Sequence, residues 1–314
     1  MSTNRLFDSG PIVVTGTPGF SLDGILSGNT DTGLTEILQS AGGQVDPSFV
    51  ATMNNIPVQS VVVTDIATLL ANIGFSGMDF RSTATNTIVD KHFLEIEEGG
   101  ERVSGPNATF KVRMSEGIGI FTTIDSRINE SAQASVEFHP TFDGTNDPYV
   151  YTANIALPSG TNEVTELFTL GGVLINGVQV DSVQGVSIDS GIELVKKITD
   201  GQVFPTFVGI MARQPRITVN TDDVELLNTL GISGSAITTN ATIFLRKMDE
   251  DGTRVADGTA QHISFVINQG KTWIPSIGGG NNTLQEGTVI IQPTFSTPGP
   301  IVVVSTTATI AGIT

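Results

Sequence analysis

The stretch DTGLTEILQSAGGQVDPSFVATMNNIPVQSVVVTDIATLL, Asp31 to Leu70, is written a second time as DSGIELVKKITDGQVFPTFVGIMARQPRITVNTDDVELLN, Asp189 to Asn228. Laid over residues 31 to 69 without gaps, at a separation of 158, the second version matches 13 of 39 positions: Asp31, Gly33, Gly43, Gln44, Val45, Pro47, Phe49, Val50, Met53, Pro57, Val61, Asp65 and Leu69. Ordinary amino-acid usage gives about one match in fifteen by chance. The chain therefore carries an internal repeat, and a repeat of this length decides the architecture.

Downstream the repeat continues. VEFHPTF, Val136 to Phe142, has a near twin in VIIQPTF, Val289 to Phe295, and Gly105/Gly258, Gly117/Gly270 and Ile124/Ile277 share its separation of 153. The change from 158 to 153 places a small insertion or deletion between Gly74 and Gly105, where loops tolerate one. Upstream, LFDSGPIVV resembles LFTLGGVLI. The 314 residues thus divide into a first domain, 1–157, a linker PSGTNEVTE, 158–166, and a second domain, 167–314, each of ordinary domain size. Pro140, Phe142, Pro293 and Phe295 become repeat-equivalent structural positions, expected to mark a shared strand end and core contact. Glu137 and His139 give way to Ile290 and Gln292, which marks contacts that differ between the copies.

Composition points to a folded β protein. Hydrophobic residues make up 39% and charged residues only 15%, with 35 glycines to supply turns. VSIDSGIELVKKI and TFKVRMS run apolar or alternate with β-branched residues, as half-buried strands do. FLEIEEGGERVSGPNATFKV and IFLRKMDEDGTRVADGTAQHISFVI each predict a long β-hairpin through a Gly-Asp-rich turn. One flanking helix per copy is predicted, in TDIATLLANIG and TDDVELLNTLG, from an N-capping Thr or Asp, helical apolar spacing and a terminal Gly. Neither a secretory leader nor an apolar segment long enough to span a membrane is expected, so a soluble protein made in a cytoplasm is anticipated.

Chemistry-bearing constellations are thin. The chain has no cysteine, which excludes disulfides, thiolate metal sites and a cysteine nucleophile. His92, His139 and His262 belong to different strand-like segments without metal-ligand spacing. DEDGTRVADG and DGTNDP superficially resemble calcium loops but lack EF-hand spacing, and Asp-Gly clusters also build hairpin turns. IGGGNN, Ile277 to Asn282, lacks the Lys-Ser of a phosphate loop, and the lone Trp273 stands where the first copy has Ile120. No enzyme activity, cofactor or metal is expected. A formal charge of −17 argues against ordinary nucleic-acid binding.

VSIDSGIELVKKITDGQVFPTFVGIMARQPRITVNTDDVELLNTLG, followed by ATIFLRKMDEDG, HISFVINQG and a closing VIIQPTF, resembles the major tail tube proteins of long-tailed bacteriophages, over both copies. The resemblance implies a mainly β chain built as two tandem tail-tube-like β-sandwiches or half-barrels, each with a flanking helix and a long hairpin. It implies a structural virion protein of the tail, made in the bacterial cytoplasm, whose stacked rings enclose a lumen. A duplicated domain would let three chains form a pseudo-sixfold ring. Its partners would be further copies of itself, the tape-measure protein and tail terminator or tip proteins, with DNA passing the lumen without specific binding. Glu95, Glu97 and Glu137 alternate with apolar neighbours and are the candidate lumen-facing acids. A tail-tip or baseplate hub ring of the same fold is the near alternative. A tandem β-sandwich adhesin or carbohydrate-binding protein on a particle surface is the distant one.

Overall fold

A computed structural model describes residues 6–16, 19–42, 45–80, 87–97, 99–103, 105, 108–156, 164, 166–199, 201–223, 234–278, 286–295 and 300–313. Most of the expected linker, 158–166, and residues 224–231 of the second predicted helix lie outside the described residues. Among the described residues, no helix is long and apolar enough to cross a membrane.

The protein is mainly β. Its first half runs β1 (Leu6–Thr15), β2 (Phe20–Leu22), β3 (Ile25–Asp31), β4 (Leu34–Gln39), β5 (Phe49–Asn55), β6 (Val58–Val63), α1 (Ile66–Asn72), a 3-10 turn (Gly74–Ser76), β7 (Met78–Asp79), β8 (Ile88–Ile96), β9 (Thr109–Met114), β10 (Gly117–Arg127), β11 (Gln133–Pro140) and β12 (Val150–Ile155). The second half runs β13 (Leu167–Ile175), β14 (Val178–Val180), β15 (Val183–Asp189), β16 (Ile192–Lys197), β17 (Phe207–Arg213), β18 (Arg216–Thr221), β19 (Ser235–Ala236), β20 (Ala241–Met248), β21 (His262–Ile267), β22 (Gly270–Gly278), β23 (Glu286–Pro293) and β24 (Val303–Ala308).

The halves repeat one strand order. In the first, β2-β1-β8-β9-β12 form one sheet and β7-β10-β11-β6-β3 lie side by side in another; in the second, β14-β13-β20-β21-β24 and β19-β22-β23-β18-β15 do the same. Paired strands β4–β5 and β16–β17 project as two-stranded ribbons. Local detail repeats too. Glu97 N–H donates to the Glu101 carbonyl and Asp249 N–H to the Thr253 carbonyl, so the Asp-rich stretch at 249–253 is the counterpart of the β8–β9 hairpin turn.

Alternation explains why these segments are strands. VQSVVV in β6 turns Gln59, Val61 and Val63 inward, and RITVNT in β18 turns Ile217, Val219 and Thr221 inward. The inward rows join Ile12, Val14, Val89 and Met114 of the first five-stranded sheet, and Phe168, Ile243 and Phe265 of the second, in one buried apolar cluster. Helix α1 adds Ile66, Leu69 and Leu70 to it, and its first turn is capped where the Asp65 carboxylate accepts from Thr68 N–H at 3.2 Å.

VSIDSGIELVKKI, predicted as a single strand, is two. It bends at Gly191, whose φ of +58° any side chain resists, and a Cβ there would sit 2.0 Å from the Gln214 carbonyl oxygen. Gly33 makes the same bend with the same φ, against the Ile56 carbonyl. Asp189 and Asp31 hold the two bends by accepting from the Gly191 and Gly33 N–H groups at 2.8 and 2.9 Å. These bends send the ribbons out of the main sheet. Gly191→Ala should therefore destabilise the fold by about 2 kcal/mol or more, a strained left-handed residue plus a backbone clash. Gly42→Ala, with no atom within 4 Å of the added methyl, should leave the unfolding midpoint unchanged when both variants are compared by denaturant titration.

Candidate functional site

The two halves meet by strand pairing. Residues Thr123–Arg127 of β10 pair antiparallel with Asp189–Gly185 of β15, in the register Thr123↔Asp189, Ile124↔Ile188, Asp125↔Ser187, Ser126↔Val186 and Arg127↔Gly185. The junction fuses the main sheets of both halves into one ten-stranded sheet. It buries Ile124 and Ile188 to 1% exposure each. The other end of β10, at Ile118 and Gly119, is occupied by β7.

The corresponding strands at the outer ends of this sheet are open. β22 matches β10; its Lys271 and Thr272 pair with β19, while Ser276, Ile277 and Gly278 pair only with β23 among the described residues. Ile277, the counterpart of buried Ile124, is 53% exposed. At the opposite end β3 matches β15 and pairs with β6 alone among the described strands, leaving Leu26 to Asn29 exposed. Ser276–Gly278 of β22 and Leu26–Asn29 of β3 thus lack, among the described residues, the second strand that their counterparts in β10 and β15 have.

The β16–β17 ribbon reinforces the made junction. It folds over β10, where Val208 is buried against Ile118 and Ile120, with Ile192, Leu194 and Ile210 packed around them. Its tip touches the end of β11: Phe142 N–H donates to the Pro205 carbonyl at 2.8 Å, and the Phe142 and Phe204 rings stack at 6.4 Å. The β4–β5 ribbon exposes its matching surface, with Val50 at 59% where Val208 is at 1%.

These contacts locate the residues singled out in the sequence. Pro140 and Pro293 are buried and end β11 and β23. Phe142 is half-buried by Phe204, whereas Phe295 is 68% exposed, so a common core contact does not hold for the phenylalanines. The difference follows from the ribbons, since only Phe142 has one seated beside it. Glu137 and His139 lie on β11 beneath the β16–β17 ribbon, with His139 Nε2 3.1 Å from Glu137 Oε2. The neighbouring His139 ring holds the Glu137 carboxyl below its ordinary range against the opposing effect of burial, and Lys196 adds attraction; burial holds His139 itself below its ordinary value. Glu95 and Glu97 sit elsewhere, at the end of β8 in the first five-stranded sheet, Glu95 half-buried and Glu97 exposed in the turn. The fold therefore does not bring the three glutamates together.

The outward face of the ten-stranded sheet is polar beyond the ribbon. Thr123, Asp125, Ser135 and Ser187 occupy adjoining positions of β10, β11 and β15, and Thr218 continues the row on β18. Asp125 is the exposed carboxylate among them.

The histidines remain apart. His262 is fixed by the hairpin backbone, its Nδ1 accepting from Lys247 N–H and its Nε2 3.1 Å from the Ala256 carbonyl. His92 is buried in β8 with an unpartnered Nδ1. Among the described residues, no three His, Asp or Glu side chains converge as a metal cluster. Sequence reasoning missed the buried ionic group beside His92. Asp90 opposes Arg113 across the β8–β9 ladder and binds it at 2.8 and 2.9 Å while taking Lys111 at 2.8 Å, and Lys91 donates to Ser9 Oγ and the Gly10 carbonyl. Basic residues two apart on one hairpin arm, facing an acid on the other, are the pattern that would have found the ion pair. Burial opposes the Asp90 charge, but Arg113 and Lys111 prevail and hold its carboxyl low. Burial lowers Lys91 to about 7.

No protein-family model and no curated protein matches the sequence.

Burial pushes His92 down to about 4, so it stays neutral in the fold. The unfolded chain binds its proton near pH 6.5, and stability is lost as pH falls from there towards 4, by about 3 kcal/mol in all. Below that both states are protonated and the loss stops. His92→Phe, which installs the residue found at the matching position Phe244, should flatten this limb when urea midpoints are compared at pH 7 and pH 4.5.

Proposed function

We propose that the chain is a structural subunit, two copies of one tube domain in tandem, that assembles head to tail into closed rings which stack as a phage tail tube. The observation that carries this reading is the β10–β15 junction, together with its unmade counterparts on β22 and β3. Repeating the junction between chains pairs β22 of one copy with β3 of the next. Ser276 would then face Asp31, Ile277 would face Thr30, and Gly278 would face Asn29. The open edges of β22 and β3 in the main sheet would be satisfied once the ring closes, which removes their aggregation hazard.

Each chain supplies eight strands to such a wall, β22-β23-β18-β15-β10-β11-β6-β3, so three chains close a barrel of 24. The polar face carrying Thr123, Asp125 and Ser187 is suited to line the lumen, because hydroxyls and carboxylates offer DNA phosphates no cationic partner. Glu137, beneath its ribbon, is less suited to this role than Asp125, and Glu95 and Glu97 belong to the other layer. Tape-measure and terminator or tip proteins would be the remaining partners of such a tube, in a virion. A tail-tip or hub ring would use the same closure in fewer copies.

A second reading has one observation in its favour. Phe7, Phe93, Phe110 and Tyr151 form a strip on the first five-stranded sheet, with Phe110 and Tyr151 stacked at 5.8 Å and Tyr151 54% exposed. An exposed strip of aromatic faces is a surface on which a ligand such as a sugar ring could stack, since Tyr is enriched at binding interfaces. Glycan-array binding abolished by Tyr151→Ala would favour that role.

The ring is tested by cross-linking, because the chain has no native cysteine. In the double variant Thr30→Cys/Ile277→Cys the pair would face across antiparallel strands, within disulfide reach. On oxidation it should give covalent species up to a trimer and no further, with threefold rings in electron micrographs. A protein that stays monomeric and uncross-linked at high concentration would remove the reading.

A further inference from the structure

The β4–β5 ribbon exposes a run of apolar side chains: Leu34, Leu38, Phe49, Val50 and Met53 are all more than half or nearly half exposed. Its counterpart, β16–β17, shows what such a ribbon covers. Val208 and Leu194 rest on Ile118 and Ile120 of β10, and Lys196 lies close enough to Glu137 to bias both charges.

Transferring these contacts by the repeat separations gives the chemistry of the second seat. Val208 becomes Val50 and Ile120 becomes Trp273, so the central apolar contact is kept. Leu194 becomes Glu36 and Ile118 becomes Lys271, turning an apolar pair into an acid and a base, both exposed in the single chain. Lys196 becomes Leu38 and Glu137 becomes Ile290, replacing two attracting charges by two apolar side chains, of which Ile290 is already buried in its own chain. Both changes preserve complementarity. A substitution on the ribbon alone would have left a charge against an apolar side chain; instead each is matched on the strand it would cover. That matching points to a second copy of this chain as the occupant, since Lys271, Trp273 and Ile290 belong to the chain itself.

We infer that the β4–β5 ribbon docks on β22 and β23 of a neighbouring copy, with Val50 against Trp273, Glu36 paired to Lys271 and Leu38 over Ile290. The inference rests on the proposed ring, since it uses the neighbour that the β3–β22 pairing brings. It goes further in naming an ion pair that selects this seat. Phe295 gains a role as well: its N–H would donate to the Pro47 carbonyl of the incoming ribbon, as Phe142 does to Pro205.

The test is charge reversal in full-length protein. Glu36→Lys and Lys271→Glu each put like charges together, and each should weaken association about tenfold in mass photometry or sedimentation, more at low salt than at high salt. The double variant Glu36→Lys/Lys271→Glu restores the pair in reverse and should recover assembly. Both positions are exposed, so circular dichroism and melting of the isolated chain should not change. The Thr30→Cys/Ile277→Cys cross-link separates the two levels. If it forms while the single reversals have no effect, or the double variant does not recover, the ribbon seats elsewhere and this inference falls while the ring stands. If no cross-link forms and the chain stays monomeric, both fall.

Discussion

A β-strand at the edge of a sheet carries a row of N–H and C=O groups that water or another strand must satisfy. In this protein that requirement is met once inside the chain, where β10 takes β15, and the rest of the main sheet is arranged around that pairing. The pairing also buries Ile124 and Ile188, each worth about 1.5–3 kcal/mol when removed from water. Covalent linkage makes the first junction intramolecular, so no second chain is needed to form it. The far sides of β3 and of Ser276–Gly278 in β22 have the same groups to satisfy and no second strand to pair with among the described residues.

The ribbons depend on that junction in turn. A two-stranded ribbon is marginal in water unless one face is covered. β16–β17 is covered because the junction holds β10 beneath it. β4–β5 has the same hydrogen-bonded ladder and the same glycine bend but no such cover in the single chain. Val50 is exposed where Val208 is buried although the local fold is the same, while Phe49, like its counterpart Phe207, is exposed in either ribbon.

What the sequence disclosed follows the same physics. Inward-facing rows such as Val61 and Val63 announced themselves through alternation, and the Asp65 cap with Ile66, Leu69 and Leu70 announced the helix. The bend at Gly191 did not, because β-branched and apolar residues continue on both sides and only the backbone angle reveals the break. The ribbons were missed for that reason. Phe295 misled because its letter matches Phe142 while its environment depends on a surface outside its own half. The Asp90–Arg113–Lys111 group was overlooked because charged strand centres are usually read as solvated; only the hairpin register, which sets Lys111 and Arg113 against Asp90, shows that ion pairs offset their burial.

In the proposed ring, divergence between the halves has a physical use. If both ribbons carried the same side chains, each would fit either seat equally well, and one chain's β16–β17 could exchange with another's β4–β5, giving tangled or open assemblies. Lys196 over Ile290, or Leu194 beside Lys271, would bury a charge against an apolar group, a mismatch that costs more than the correct pairing gains. The letters that changed between VEFHPTF and VIIQPTF are among those that make this distinction, while the retained proline ends the same buried strand in both halves. Identity in the repeat would keep the proposed seats geometrically alike; difference would keep each ribbon in its own.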